Sequence, residues 1–120
     1  MGLSHVTVSI SNLSMSESPF QDLFLIDTGA VDCMAPTDKL VKAGIPVEGQ
    51  NVYELADGTV AEYDYGFARV SFMGSETVTQ ITFGPNGTEP ILGVVALENT
   101  GYGVDPVTKK LKKMATKSLK

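Results

Sequence analysis

The apolar run Phe24-Leu25-Ile26 passes directly into an acid, a hydroxyl, a glycine and an alanine: Asp27-Thr28-Gly29-Ala30. A carboxylate at the end of a buried strand loses solvation unless it is hydrogen-bonded, paired or protonated, so the placement of Asp27 needs a cause. One cause is proton transfer, in which a positioned carboxylate takes a proton from water or offers one to a carbonyl oxygen. Gly29 lets the backbone turn tightly and approach another chain or a ligand, and Thr28 supplies a hydroxyl that both donates and accepts. The tripeptide alone also has a plainer reading, because Asp and Gly are common turn formers at strand ends.

Two further features lie downstream. Asp57-Gly58 sits between Val52-Tyr53-Glu54-Leu55 and Val60-Ala61-Glu62-Tyr63, which predicts a projecting hairpin closed by a type I′ turn with positive φ at both central positions. The segment Pro90-Ile91-Leu92-Gly93-Val94-Val95-Ala96-Leu97 is apolar and interrupted by a single glycine. In order and spacing these motifs resemble the retropepsin-like aspartic proteases, including their small bacterial members, over about residues 3 to 112.

The resemblance implies a closed β-barrel that forms one half of an acid protease. Asp27 would be the catalytic acid, Thr28 would make inter-subunit hydrogen bonds behind the two acids, and Gly29, with Ala30 after it, would leave room for substrate. Ala56-Asp57-Gly58-Thr59 would be the tip of a flap, and Ile91-Leu92-Gly93 would pack beneath the active-site loop, followed by a short helix. Asp32 and Ile91 are candidate groove residues. Ala30, where pepsin-like enzymes have Ser, implies a working pH less acidic than theirs. The chain also departs from the retroviral pattern. Val31 and Val94 stand where a paired Asp and Arg are common, an exchange of ion pair for apolar packing that is energetically neutral or favourable in other proteins. Gly58 is the flap's only obvious hinge, and the chain runs on past Val104, where a retroviral subunit ends in its dimer-forming strand.

Peptide hydrolysis by this route uses one carboxylate to activate water and a second, protonated one to bond the scissile carbonyl. The chain has a single Asp-Thr-Gly and no Asp-Ser-Gly. A two-fold homodimer in which Asp27 meets its own copy is the simplest source of the pair, and such a dyad shares one proton. The expected activity is therefore that of an aspartic endopeptidase on extended peptides. The alternative on the same fold is a catalytically inactive peptide-binding or dimerisation module, in which Asp27 is structural.

Other chemistries fail on inventory. His5 is the only histidine and lies in an alternating strand, so a Ser-His-Asp triad is not expected. Cys33 is the only cysteine, which removes any disulfide within the chain and suits a buried small side chain. The acids show no calcium-loop spacing and the glycines no phosphate loop, so neither metal nor cofactor is expected.

The elements that must carry these residues are mainly strands. Period-two alternation predicts them near His5–Ser11, Phe20–Ile26, Asn51–Leu55, Thr59–Phe72 with a bend at Gly66, Glu76–Phe83 and Tyr102–Val104. Two short helices are predicted, one after Pro36 with Thr37 as N-cap and Gly44 as its stop, the other over Val94–Thr100 ended by Gly101. Asp105-Pro106-Val107-Thr108 reads as a turn returning the chain into Lys109–Lys113.

At 120 residues and 42% hydrophobic composition the chain suits one domain, read as residues 1–112, with 113–120 as a basic, solvated tail. Residues 109–120 hold six of the nine basic side chains and no acid, whereas the preceding body sets three bases against 14 acids. Such a body is a poor partner for nucleic acid or an anionic membrane. Met1-Gly2-Leu3-Ser4-His5 leads into alternating residues rather than a long apolar run, so no secretory signal, no membrane span and a cytoplasmic location are expected.

Overall fold

The computed structural model describes residues 4–116. In chain order these form β1 (His5–Ser11), β2 (Phe20–Ile26), β3 (Cys33–Pro36), α1 (Thr37–Lys42), β4 (Gly49–Glu54) and β5 (Val60–Phe72). They continue as β6 (Ser75–Gly84), β7 (Ile91–Leu92), α2 (Val94–Thr100), β8 (Tyr102–Val104) and β9 (Leu111–Lys113). The expected spans of β1, β2, α2 and β8 are those observed. The first three residues and the last four of the expected tail, 117–120, lie outside the described residues.

The main sheet runs β1-β2-β7-β3-β6-β5-β4, and β1 also pairs with β5 through Ser9↔Ser71, Ile10↔Val70 and Ser11↔Arg69. That second pairing closes six strands into a barrel, with β4 left hanging from β5. The fold is thus mainly β, a closed six-stranded barrel with two short helices, as expected. The 13-residue β5 serves both parts along one edge: residues from Val60 to Tyr65 pair with β4, and Arg69 to Ser71 pair with β1. It runs unbroken through Gly66, where a bend was expected. Side chains alternate along it, so Gly66, Ala68, Val70 and Phe72 face the core while Tyr63, Tyr65 and Phe67 project from the opposite face.

The core holds Val8, Ile10, Phe24, Ala35, Leu40, Val70, Ile81, Leu92 and Leu97, all at 2% exposure or less. Each large apolar side chain buried this way contributes about 1.5–3 kcal/mol. Phe24, at the heart of β2, fixes the strand that delivers Asp27.

Three strands escaped the sequence reading. β3 has four residues and ends on Pro36, and its partners are distant: parallel β6 through Cys33↔Ile81 and antiparallel β7 through Met34↔Ile91. β7 has only two residues, and β9 is two-thirds lysine. The expected N-cap of α1 is also corrected. Pro36 occupies the cap position, Thr37 is the first helical residue, and its hydroxyl donates to the Gly84 carbonyl at 2.7 Å. The orphan amide of Asp38 is satisfied instead by Asn86 Oδ1 at 2.9 Å, a cap supplied from another loop.

The turn after β8 forms as expected, with Asp105 Oδ1 accepting the Val107 and Thr108 amides at 2.8 and 3.2 Å. β9 then pairs with β8 through Val104↔Leu111 and Tyr102↔Lys113. Lys113, expected to begin a solvated tail, is strand: its ammonium donates to the Thr100 carbonyl at 2.9 Å and lies 4.9 Å above the Tyr102 ring. Among the described residues, no helix is long and apolar enough to cross a membrane.

Candidate functional site

Asp27 follows the last residue of β2. Ile26 is aligned in parallel with Leu92 of β7, and the Asp27 amide donates to the Leu92 carbonyl at 3.1 Å. The chain then turns tightly, with the Ala30 amide bonding back to the Asp27 carbonyl at 3.1 Å. Within this turn the Gly29 amide donates to Asp27 Oδ1 at 2.9 Å. One carboxylate oxygen is therefore fixed by its own loop, while the other has no hydrogen-bond partner among the described residues. Thr28 is exposed beside it, its hydroxyl likewise without a partner among those residues.

The loop is held from below by α2. The Val94 and Val95 amides, two of the orphan donors at the start of that helix, bond to the Ala30 and Val31 carbonyls at 2.8 and 3.1 Å. No side chain caps the helix at Gly93 because the loop itself does so. Gly93 permits this contact: a Cβ there would lie 2.5 Å from the Asp32 carbonyl oxygen and 2.8 Å from that of Val31. Of the expected apolar-apolar-Gly motif, Leu92 is fully buried, Gly93 supports the loop, and Ile91 reaches the surface of a groove.

That groove encloses about 580 Å³, a size suited to a side chain or small ligand. Its floor is Asp27, Gly29, Ala30 and Val31, one wall is Met34, Thr82 and Ile91, and the β4–β5 hairpin covers it with Tyr53, Glu54, Leu55, Ala56 and Tyr63. The structure thus brings Asp27, Ile91 and the expected flap into one cavity. Of the expected tip, Ala56 lines it, whereas Asp57, Gly58, Thr59 and the loop residue Thr28 do not.

The hairpin is real but its turn is not type I′. The Gly58 amide bonds to the Leu55 carbonyl at 2.9 Å and the Leu55 amide to Thr59 at 2.7 Å, with positive φ at Gly58 (86°) but not at Asp57. This is the three-residue loop in which a type I turn is completed by one left-handed residue. Asp57 closes it by accepting the Thr59 hydroxyl at 2.6 Å and the Thr59 amide at 3.0 Å. Those bonds hold the Asp57 carboxyl below the usual carboxylate range.

Asp32, expected in the groove, is absent from its lining. Its Oδ2 accepts the Tyr53 hydroxyl at 2.8 Å and the Gln80 side-chain amide at 3.4 Å, and the same Tyr53 hydroxyl lies 2.9 Å from Thr82 Oγ1. Met34, Tyr53, Glu54, Leu55, Tyr63 and Thr82 are the groove residues that the sequence did not single out as site residues. For the tyrosines the signal was present in the alternation of β4 and β5, since Tyr53 aligns with Ala61 and so shares a face with Tyr63.

Cys33 is buried at the start of β3, and burial pushes its thiol up to about 11, against the pull of the Gly93 backbone. A thiol so placed is inert as a nucleophile at neutral pH. His5 is at the surface, its Nε2 2.9 Å from Glu89 Oε2. Among the described residues no group of three His, Cys, Asp or Glu could hold a metal ion. The sequence matches no protein-family model and no curated protein.

Proposed function

We propose that the chain is one subunit of a homodimeric, retropepsin-like aspartic endopeptidase. The observation that carries the reading is Asp27 itself. It sits on the floor of a covered groove, with one oxygen fixed by Gly29 and the other open beside the exposed Thr28. A second copy related by a two-fold axis would supply the missing carboxylate, and Thr28 would bond across the interface. The dyad would share one proton, so that the ionised acid draws a proton from water while its neighbour donates to the scissile carbonyl. A peptide would lie extended between the loop and the β4–β5 flap, adding strand-like hydrogen bonds.

A second reading is favoured by one feature. β9 pairs with β8, so the strand after α2 already has a neighbour from its own chain on one edge. A peptide-binding or dimerisation module without catalysis would use the same groove. Sedimentation together with cleavage of a peptide library between about pH 3 and 7 separates the two. The protease reading expects a dimer whose cleavage falls at least about 10³-fold in Asp27→Asn. A strictly monomeric protein at micromolar concentration, or cleavage that survives Asp27→Asn, overturns it.

A further inference from the structure

Beyond Tyr53 and Ala61 the flap has no half-buried or buried residue: every position from Glu54 to Val60 is exposed. Packing cannot fix the height of such a tip over the groove. Ala61, aligned with Tyr53 on the opposite strand, has only a methyl group to offer. The last side chain able to anchor the hairpin is therefore Tyr53. Of the three tyrosines on the hairpin, it alone has hydroxyl partners among the described residues.

Both partners belong to rigid parts of the molecule. Thr82 is 4% exposed in β6 of the barrel. Asp32 ends the loop that begins at Asp27, and α2 grips that loop through the Ala30 and Val31 carbonyls. A phenolic hydroxyl between a carboxylate at 2.8 Å and a threonine at 2.9 Å is a charge-assisted, two-partner contact, stronger than an ordinary side-chain bond.

We infer that Tyr53 is a positioning residue: its hydroxyl ties the first strand of the flap to the loop carrying Asp27 and sets the height of the tip above that acid. The inference takes the β4–β5 hairpin as the flap of the proposed protease, but the tether is a property of the chain whether or not it cleaves peptides. Loss of the hydroxyl frees the tip while leaving the Tyr53 ring, the barrel and α2 in place. Thr82→Val, which keeps the shape of the buried side chain, removes one of the two partners and has a smaller effect of the same kind.

The test is amide hydrogen exchange followed by mass spectrometry on wild type, Tyr53→Phe and Thr82→Val, comparing peptides across residues 49–62 with peptides of β1 and β2. Tyr53→Phe is expected to accelerate exchange in the hairpin about tenfold or more, with β1 and β2 unchanged. Unchanged exchange in the hairpin overturns the inference. Equal acceleration in β1 and β2 also overturns it, because the hydroxyl would then serve only global stability. If wild type cleaves a fluorogenic peptide chosen from the library, Tyr53→Phe should raise its KM about tenfold while kcat stays within about twofold. An unchanged KM overturns the inference. If wild type cleaves nothing, the exchange experiment still decides the tether, and only the protease reading falls.

Discussion

Replacing Gly93 by alanine tests whether α2 supports the loop that carries Asp27. The new methyl carbon would meet backbone on every close approach: 2.5 Å to the Asp32 carbonyl oxygen, 2.6 Å to its carbon and 2.8 Å to the Val31 oxygen. No rotamer relieves a clash with backbone, so the loop must retreat by roughly 1 Å to restore ordinary contact. That movement stretches the bonds by which Val94 and Val95 hold Ala30 and Val31. Two weakened hydrogen bonds at about 1 kcal/mol each, added to about 1–3 kcal/mol for overpacking, give an expected loss of about 3–5 kcal/mol. A domain of this size has about 5–15 kcal/mol of stability, so a parent in the middle of that range leaves the variant folded in water, with a urea midpoint lower by about 2 M. Circular dichroism across a urea series measures this directly. Gly58→Ala is the companion: nothing lies within 4 Å of its added carbon, so only the positive φ of 86° is strained, at about 1–2 kcal/mol. A loss below about 1 kcal/mol in Gly93→Ala would refute the claim that the loop and helix meet at a position only glycine can occupy.

Three further outcomes are expected. The Cys33 thiol is raised from 9.0 to about 11, so its contribution to stability is complete below pH 9 and is lost as pH rises toward 11. The loss is about 2–3 kcal/mol, read as a steeper alkaline fall in urea midpoint for wild type than for Cys33→Ala. Asp57 has its acidity increased by Thr59, so the turn should be intact above 3.8 and loosen only as pH falls through the lowered value. An NMR titration of the Thr59 amide with its midpoint at or above 3.8 would contradict this. On the dimer reading, Thr28→Ala should weaken self-association about tenfold or more in sedimentation equilibrium while leaving the urea midpoint of the isolated chain unchanged, since Thr28 bonds to nothing among its described neighbours.

Local signals and non-local ones behaved differently. The alternation of His5–Ser11 and Phe20–Ile26, and the helix ended by left-handed Gly101, are written in adjacent residues and were readable. Asp57-Gly58 announced its hairpin, yet the dipeptide does not fix the turn type; the Asp57 carboxylate bonding to Thr59 settles that. β3 and β7 were not readable because two- and four-residue strands become strands only through their partners, Leu25 and Ile26 for β7 and residues 81–84 for β3. Lys113 at the end of β9 read as tail for the opposite reason, the solvation of the lysine run being locally persuasive while its ammonium is held by Thr100. At the site, Asp27 and Ile91 could be named in advance. The bond between Asp32 and Tyr53 could not, since the two are 21 residues apart with no shared motif.

The division of labour along β5 bears on how the molecule would withstand digestion. The exposed stretch from Glu54 to Val60 is the natural place for a nick, yet a cut there severs no barrel contact. The seam between β1 and β5 lies farther along the same strand, at Arg69 to Ser71, and would hold. Limited digestion should therefore yield a clipped species that still unfolds cooperatively, with β4 still paired to β5 and held by Tyr53, and with only the tip over the groove opened.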